Sequence, residues 1–259
     1  MESFHNFWHL CYLFKQLQFI GPFNAKIMHG LQVLFEDNHL IGINKPAGIL
    51  VQGDETKDLP IGEYIKEYIK VRYKKPGAVF LGVIHRLDRP VSGAMIFART
   101  SKALSRMNEM FKKREVKKIY WAITKERPKP ITGELTHYIL KDKEKNVVKA
   151  YDEPSNRAKD AKKAVLSYEL MAQMDGYCLT KIILKTGRPH QIRVQFAKIG
   201  CPIVGDVKYG FNHPNNDGSI HLHCRSLEFI HPVKKDRVYF EAELPDNRLW
   251  NQFRGVLGN

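Results

Sequence analysis

From Leu31 onward, short apolar runs alternate with polar positions and are separated by turn-forming residues, which is the signature of β-strands. Gln32–Phe35 and Leu40–Asn44 flank the turn Glu36-Asp37-Asn38-His39. Val79–Ile84, Ala94–Ala98, Lys118–Ile123, Val165–Met171 and Cys178–Leu184 follow, and residues 220–230 and 236–244 complete the set. Between the 165–171 and 178–184 runs lies Gln173-Met174-Asp175-Gly176-Tyr177, a hairpin signal, because Asp-Gly accepts the positive φ of a tight turn. Elsewhere the period lengthens to that of a helix. Ile61, Tyr64, Ile65, Tyr68 and Ile69 predict one over 61–73, and Leu104, Met107, Met110 and Phe111 predict another, capped by Ser101 and running to about Arg114. A third is predicted between Pro189 and Gly200, with Ile192, Phe196 and Ile199 on one face, and a last over 247–257. Residues 125–133 are a proline-broken loop, and 141–163 are charged, poor in aromatics and expected to be mobile. Many strands with few intervening helices predict an α+β mixed sheet rather than a βαβ repeat.

Composition adds a partner to this outline. The chain of 259 residues has 42 Lys and Arg against 27 Asp and Glu, a net charge of +15, with ordinary globular apolar content of 43%. Such an excess suits a polyanion, either nucleic acid or an acidic membrane surface. It is also uneven. Residues 99–127 hold ten basic against three acidic residues, and residues 141–163 hold eight against five. In the first cluster Lys112, Lys113, Arg114 and Lys117 are candidate phosphate contacts; a solvated helix face explains part of the cluster but less of the run 112–118.

Other classes recede. Cys11, Cys178, Cys201 and Cys224 form no C-x-x-C pair, which argues against a zinc ribbon or a disulfide scaffold. His221 and His223 fall on one face of a predicted strand, where packing or RNA contact outweighs metal binding, so no metal is expected. No apolar run reaches the length of about eighteen residues that a membrane helix needs. Residues 1–27 are aromatic-rich but interrupted by His5, His9, Lys15 and Gln16 and lack a basic leader. We therefore expect an N-terminal appendage, a folded unit over 28–259 and a cytoplasmic location. Dinucleotide and P-loop fingerprints are absent, and no cofactor is expected.

Candidate chemistry concentrates in His85-Arg86-Leu87-Asp88-Arg89-Pro90. A lone carboxylate between arginines is expected to stay ionised, as a nucleophile or base must; a surface salt bridge is the alternative. Thr186-Gly-Arg188-Pro-His-Gln-Ile-Arg193 supplies two arginines able to grip a carboxylate or phosphate, and Asn44-Lys45-Pro-Ala-Gly48 is a third basic turn.

These motifs, followed in order by Lys118-Ile-Tyr120-Trp-Ala122 before the 186–193 turn and Gly205-Asp-Val-Lys-Tyr-Gly210 after it, resemble the RluA-type RNA pseudouridine synthases over about residues 31–245. The resemblance implies a mixed, mainly antiparallel sheet in two halves, flanked by helices, with the active site in the cleft between them. It implies Asp88 as catalytic carboxylate, Tyr120 as the ring against the target uracil and a candidate for proton transfer, and Arg193 as the partner of Asp88. Arg86 would hold the place of the extruded nucleotide. Arg89, Lys45 and Arg188 join the basic cluster as expected RNA contacts. In a strand Tyr120 and Trp121 face opposite ways, so only one can line the pocket. Val91 and Gln195 depart from common family residues. A monomer acting on rRNA or tRNA without metal or cofactor is expected. The competing expectation is a non-catalytic RNA-binding protein that uses the basic segments 99–127 and 141–163.

Overall fold

The computed structural model describes residues 31–142, 147–154 and 158–256, so the expected appendage at 1–27 lies outside the described residues. The strands are β1 (Gln32–Glu36), β2 (Leu40–Lys45), β3 (Gly82–Val83), β4 (Ser92–Ala98), β5 (Lys117–Thr124) and β6 (Thr132–Asp142). Then come β7 (Val147–Tyr151), β8 (Lys162–Met174), β9 (Tyr177–Leu184), β10 (Leu222–Ile230) and β11 (Arg237–Glu241). The helices are α1 (Ile61–Arg72), α2 (Ser101–Lys113), α3 (Gln191–Lys198) and α4 (Arg248–Val256). The strands form one sheet in the order β1-β2-β4-β10-β5-β9-β8-β6-β7, with β3 beside β4 and β11 beside β10. Its pairings are antiparallel except β4 with β10, which run parallel through Ser92↔His223 and Gly93↔Cys224. The α+β, mainly antiparallel expectation is met, and the parallel joint is where its two halves meet.

Strand β5 shows why the sheet is thick with core on both sides. Tyr120 and Ala122 enter the main apolar cluster, while Trp121 and Ile123 enter a second cluster covered by Trp250 and Phe253 of α4. His221 and His223 pack their rings against Trp250 at 5.7 and 6.0 Å, so both serve the core, and burial keeps both pKa values below the ordinary histidine range. The β8–β9 turn is the two-residue Asp175-Gly176 connection, with φ of 50° and 76°, as the sequence signal requires.

Four local expectations are corrected. Thr100, not Ser101, caps α2, its hydroxyl accepting from the Ala103 N–H at 3.2 Å. The run 79–84 pairs only at Gly82–Val83, with Phe97 and Ala98 at the end of β4 beyond its pairing with β10. Pro189 stands two residues ahead of α3, and His190 begins the helix from a left-handed conformation. The stretch 141–163, expected to be mobile, contains β7, which pairs with β6 and buries Val148 on the side it shares with Ala150.

Gly93 is the residue on which the parallel joint turns. Its φ is 119°, and a Cβ there would lie 2.3 Å from the Cys224 carbonyl oxygen and 2.5 Å from its nitrogen. Gly93→Ala should therefore cost more than about 2 kcal/mol in urea unfolding, as strain and backbone collision combine.

Candidate active site

Between β3 and β4 the chain turns sharply to display Asp88. The Val91 N–H donates to the Asp88 carbonyl at 3.0 Å, closing the turn. The Asn44–Gly48 turn clamps it from outside: the Gly48 N–H donates to the Arg89 carbonyl at 2.8 Å, and the Arg89 guanidinium returns a bond to the Gly48 carbonyl at 3.0 Å. At the other end the His85 ring accepts the Ile96 N–H through Nε2 at 3.1 Å and stacks on Phe111. Burial drives that imidazole down to about 3, so it stays a neutral acceptor.

Lys45 must be corrected. It is fully buried, and its Nζ donates to the carbonyls of Pro46, Ile49 and Arg89 at 2.8, 3.0 and 3.4 Å. Three N–H groups meet three acceptors, so the side chain staples the Asp88 turn and no donor remains for phosphate. Burial pulls its pKa to about 7, against the favourable charge of Asp88.

The cations that flank Asp88 in sequence also point away from it. Arg86 donates to Gln52 Oε1 at 2.7 Å, and Arg89 pairs with Asp58 at 2.6 Å. The cation that reaches Asp88 is Arg193, whose Nη1 donates to Oδ2 at 2.9 Å from the first turn of α3. Its other face is taken by Asp206, with Nε to Oδ2 at 2.7 Å and Nη2 to Oδ1 at 2.8 Å. Tyr209 closes this shell with its ring 4.9 Å from the guanidinium carbon. Burial opposes the charge on Arg193, but its bonds to Asp206 and the nearby Asp88 outweigh that and raise its pKa above the ordinary arginine value.

Asp88 and Arg193 open into a cavity of about 960 Å³. Tyr120 lines it and Trp121 does not, as strand alternation requires. The Tyr120 hydroxyl is pushed well above the ordinary tyrosine range by burial and then by the neighbouring Cys224, so it keeps its proton. Leu87, Val51, Phe111 and Leu184 give the cavity apolar surface.

Cations ring that surface on two sides. Arg86, Lys112, Arg114 and Lys118 come from the half that carries Asp88 and from the α2–β5 unit; Lys141, Lys185, Arg188 and Lys208 come from the half around β6, β9 and α3. Arg114 ends α2 in a left-handed conformation with φ 64°. Lys113 and Lys117, equally basic in sequence, lie outside the cavity and pair with Glu109 at 3.6 Å and Glu228 at 3.8 Å. Sequence reasoning missed Asp206, His190, Tyr209 and Lys118. The first and third stand in the Gly205–Gly210 motif, and a buried arginine demanding a second carboxylate is the signal that points to Asp206. Gln195 is buried in α3 and donates to the Leu135 carbonyl at 3.2 Å and to His137 Nδ1 at 2.9 Å. It thus ties the helix that bears Arg193 to β6. Among the described residues, no three His, Cys, Asp or Glu side chains are grouped to hold a metal ion.

Comparison with known proteins bears on this arrangement directly. The family model described as RNA pseudouridylate synthase matches residues 39–198, from β2 through α3. The chain belongs to the RNA pseudouridine synthases. It is 31% identical over 244 residues to the tRNA pseudouridine synthase C of Haemophilus influenzae, covering 86% of this chain and 98% of that protein. It is equally 31% identical over 224 residues to the ribosomal large subunit pseudouridine synthase C of Buchnera aphidicola, covering 82% and 67%. The solved structure of human RNA pseudouridylate synthase domain containing 4 superposes with a TM-score of 0.71 at 26% identity, covering 89% of this chain and 94% of that one. This pseudouridine synthase is of the RluA type, an isomerase that acts on RNA.

Asp206 is only 1% exposed, and removing its charge leaves the buried guanidinium with one carboxylate partner. Asp206→Asn should therefore lower stability by about 3 kcal/mol, measured by urea unfolding at neutral pH.

Proposed function

We propose that Asp88 is the carboxylate that acts on the target nucleotide, with Arg193 holding it and Tyr120 facing the uracil. The observation that carries this reading is the array Asp206–Arg193–Asp88, buried at its root and open to the cavity at Asp88, whose side chain is 29% exposed against 6% for Arg193. A simple RNA grip needs cations at a surface; it has no use for an arginine locked between two carboxylates at the floor of a cavity. That difference favours the enzyme over the non-catalytic binding protein.

Pseudouridine formation breaks the N1–C1′ bond of uridine, turns the uracil and joins C5 to C1′. Asp88 can enter in two ways. It can attack C1′ as N1 leaves, forming an ester-like bond that C5 later displaces. Alternatively it can take the C2′ proton as N1 leaves, giving a glycal-like sugar, and return that proton to C2′ when C5 bonds to C1′. In both, C5 finally gives up its proton and N1 gains one, so the change is redox-neutral and calls for neither an electron carrier nor ATP. Arg193 serves both routes by fixing the carboxylate. Tyr120 retains its phenolic proton, which suits it to stacking and neutral hydrogen bonding rather than to service as a phenolate base.

The base must leave its stack to reach Asp88. The two cationic walls fit the backbone on either side of a flipped nucleotide, and Arg86, at the rim, can fill the vacated place. The substrate is then a structured rRNA or tRNA element recognised largely by shape and phosphate position, bound by a monomer.

Asp88→Asn should abolish tritium release from RNA carrying 5-tritiated uridine while leaving RNA affinity within about 3-fold of wild type; substantial release by this variant would overturn the assignment. The walls make a separate prediction. Lys112→Ala with Arg114→Ala should weaken RNA binding and flatten its salt dependence by about 1 log unit per lost phosphate contact. The same double change at Lys113 and Lys117, outside the cavity, should leave that slope nearly unchanged.

A further inference from the structure

His190 has no part in the scheme so far, yet its ring stands between two groups that matter. The residue starts α3 with φ 49° and ψ 22°, a left-handed conformation that costs a non-glycine residue about 1 kcal/mol. Its Nδ1 lies 2.6 Å from the Tyr209 hydroxyl, and its Nε2 lies 3.8 Å from Asp88 Oδ2. The Tyr209 oxygen accepts the Val148 N–H at 3.1 Å, which leaves its own hydrogen to be donated. His190 Nδ1 is the acceptor in reach. A neutral ring that accepts at Nδ1 carries its proton on Nε2, the nitrogen that faces the carboxylate.

Both groups beside Asp88 address the same oxygen. Arg193 Nη1 donates to Oδ2 at 2.9 Å and His190 Nε2 approaches Oδ2, whereas Oδ1 has no hydrogen bond or ion pair among the described residues. We propose that His190 is a positioning residue for Asp88: its Nε2–H, fixed there by the Tyr209 hydroxyl, joins Arg193 in holding Oδ2 and leaves Oδ1 as the oxygen that reacts. This inference rests on Asp88 being the reacting carboxylate. At 3.8 Å the contact is a dipole directed at a charge; catalytic contacts of this kind shorten to hydrogen bonds when substrate closes the site.

The surroundings keep the ring neutral. Burial lowers the His190 pKa below the ordinary value, and Arg193 on α3, Lys208 on the 207–209 turn and Lys141 on β6 act in the same direction, opposed by Asp88. A second proton would have to enter at Nδ1, against the hydrogen that Tyr209 directs there. The imidazolium so formed would tie up the carboxylate as a full ion pair. A neutral donor orients Asp88 without adding a second full positive charge to that of Arg193.

The tautomer can be read without any assay of turnover. In ¹⁵N-histidine-labelled enzyme, with His190 assigned by its loss in His190→Gln, the ring should show a bare Nδ1 and a protonated Nε2 at neutral pH. A proton on Nδ1 overturns the proposal. In turnover, His190→Phe should lower kcat about 10- to 100-fold with KM and melting midpoint near wild type, since misplacing a reacting group costs rate rather than binding. His190→Gln, whose amide can stand in for Nε2–H, should stay within about 5-fold. Tyr209→Phe should reduce kcat in the wild-type background but add nothing in His190→Gln, where no tautomer is left to set. Equal losses in both backgrounds would show a structural role for Tyr209 and sink the inference. Should His190→Phe fail to fold, the tautomer and the Tyr209 comparison still decide. Asp88→Asn is measured alongside: turnover by that variant defeats the assignment of Asp88 itself, whereas an inactive Asp88→Asn with a fully active His190→Phe defeats only the role of His190.

Discussion

A guanidinium buried between two carboxylates is the constraint around which this enzyme is organised. Arg193 is 5% exposed, and a charge so placed is tolerable only if its donors are met. Asp206 meets two of them from the turn before the 207–209 helix, and Asp88 meets a third from the β3–β4 turn. One side chain therefore fixes the mutual position of three chain segments, one of them 105 residues away in sequence. Because Asp206 is enclosed and Asp88 is not, the array has a closed end that stabilises and an open end that faces the cavity. Tyr209 packs on the guanidinium and, through His190, reaches Asp88 a second time.

The Asp88 turn is held independently of that array, so its geometry does not hang on one ion pair. Lys45 supplies three donors to three carbonyls, one of them that of Arg89, and His85 anchors the far end on β4. Behind the turn, Gly93 lets β4 run against β10 at a separation that leaves no room for a Cβ. The half of the sheet that carries Asp88 is joined there to the strands leading to Tyr120 and, through β9, to α3. The placing of Asp88 is thus set by backbone packing first and by charge second.

Charge decides what reaches the site. The net +15 of the chain is spread over many lysines, but those that face the cavity come from both halves and surround the apolar lining of Leu87, Val51, Phe111 and Leu184. Such a cleft attracts a phosphate backbone to its edges while offering the base a less polar place to stack. Lysines at neighbouring sequence positions divide between this task and ordinary surface pairs, as Lys112 and Lys113 do at the end of α2.

Alternation and periodicity in the sequence settled most strands, the α1 and α2 helices and the Asp175-Gly176 hairpin, because those features depend on local backbone preference and one-sided burial. The same alternation separated Tyr120 from Trp121. Motif order singled out Asp88, Tyr120 and Arg193, which the fold brings to one cavity. What each neighbouring cation does was another matter. Arg86 and Arg89 flank Asp88 in sequence yet bond to Gln52 and Asp58, and Lys45 is sealed within the fold, while the cation that meets Asp88 arrives from 105 residues away. Adjacent residues on a turn project in different directions, and a buried charge takes whichever partners the packed segments bring within 3 Å. The residue types of the site were therefore determined by the sequence itself, but their pairing, and the enlistment of Asp206, Tyr209 and His190, were decided only when the tertiary structure closed around Arg193.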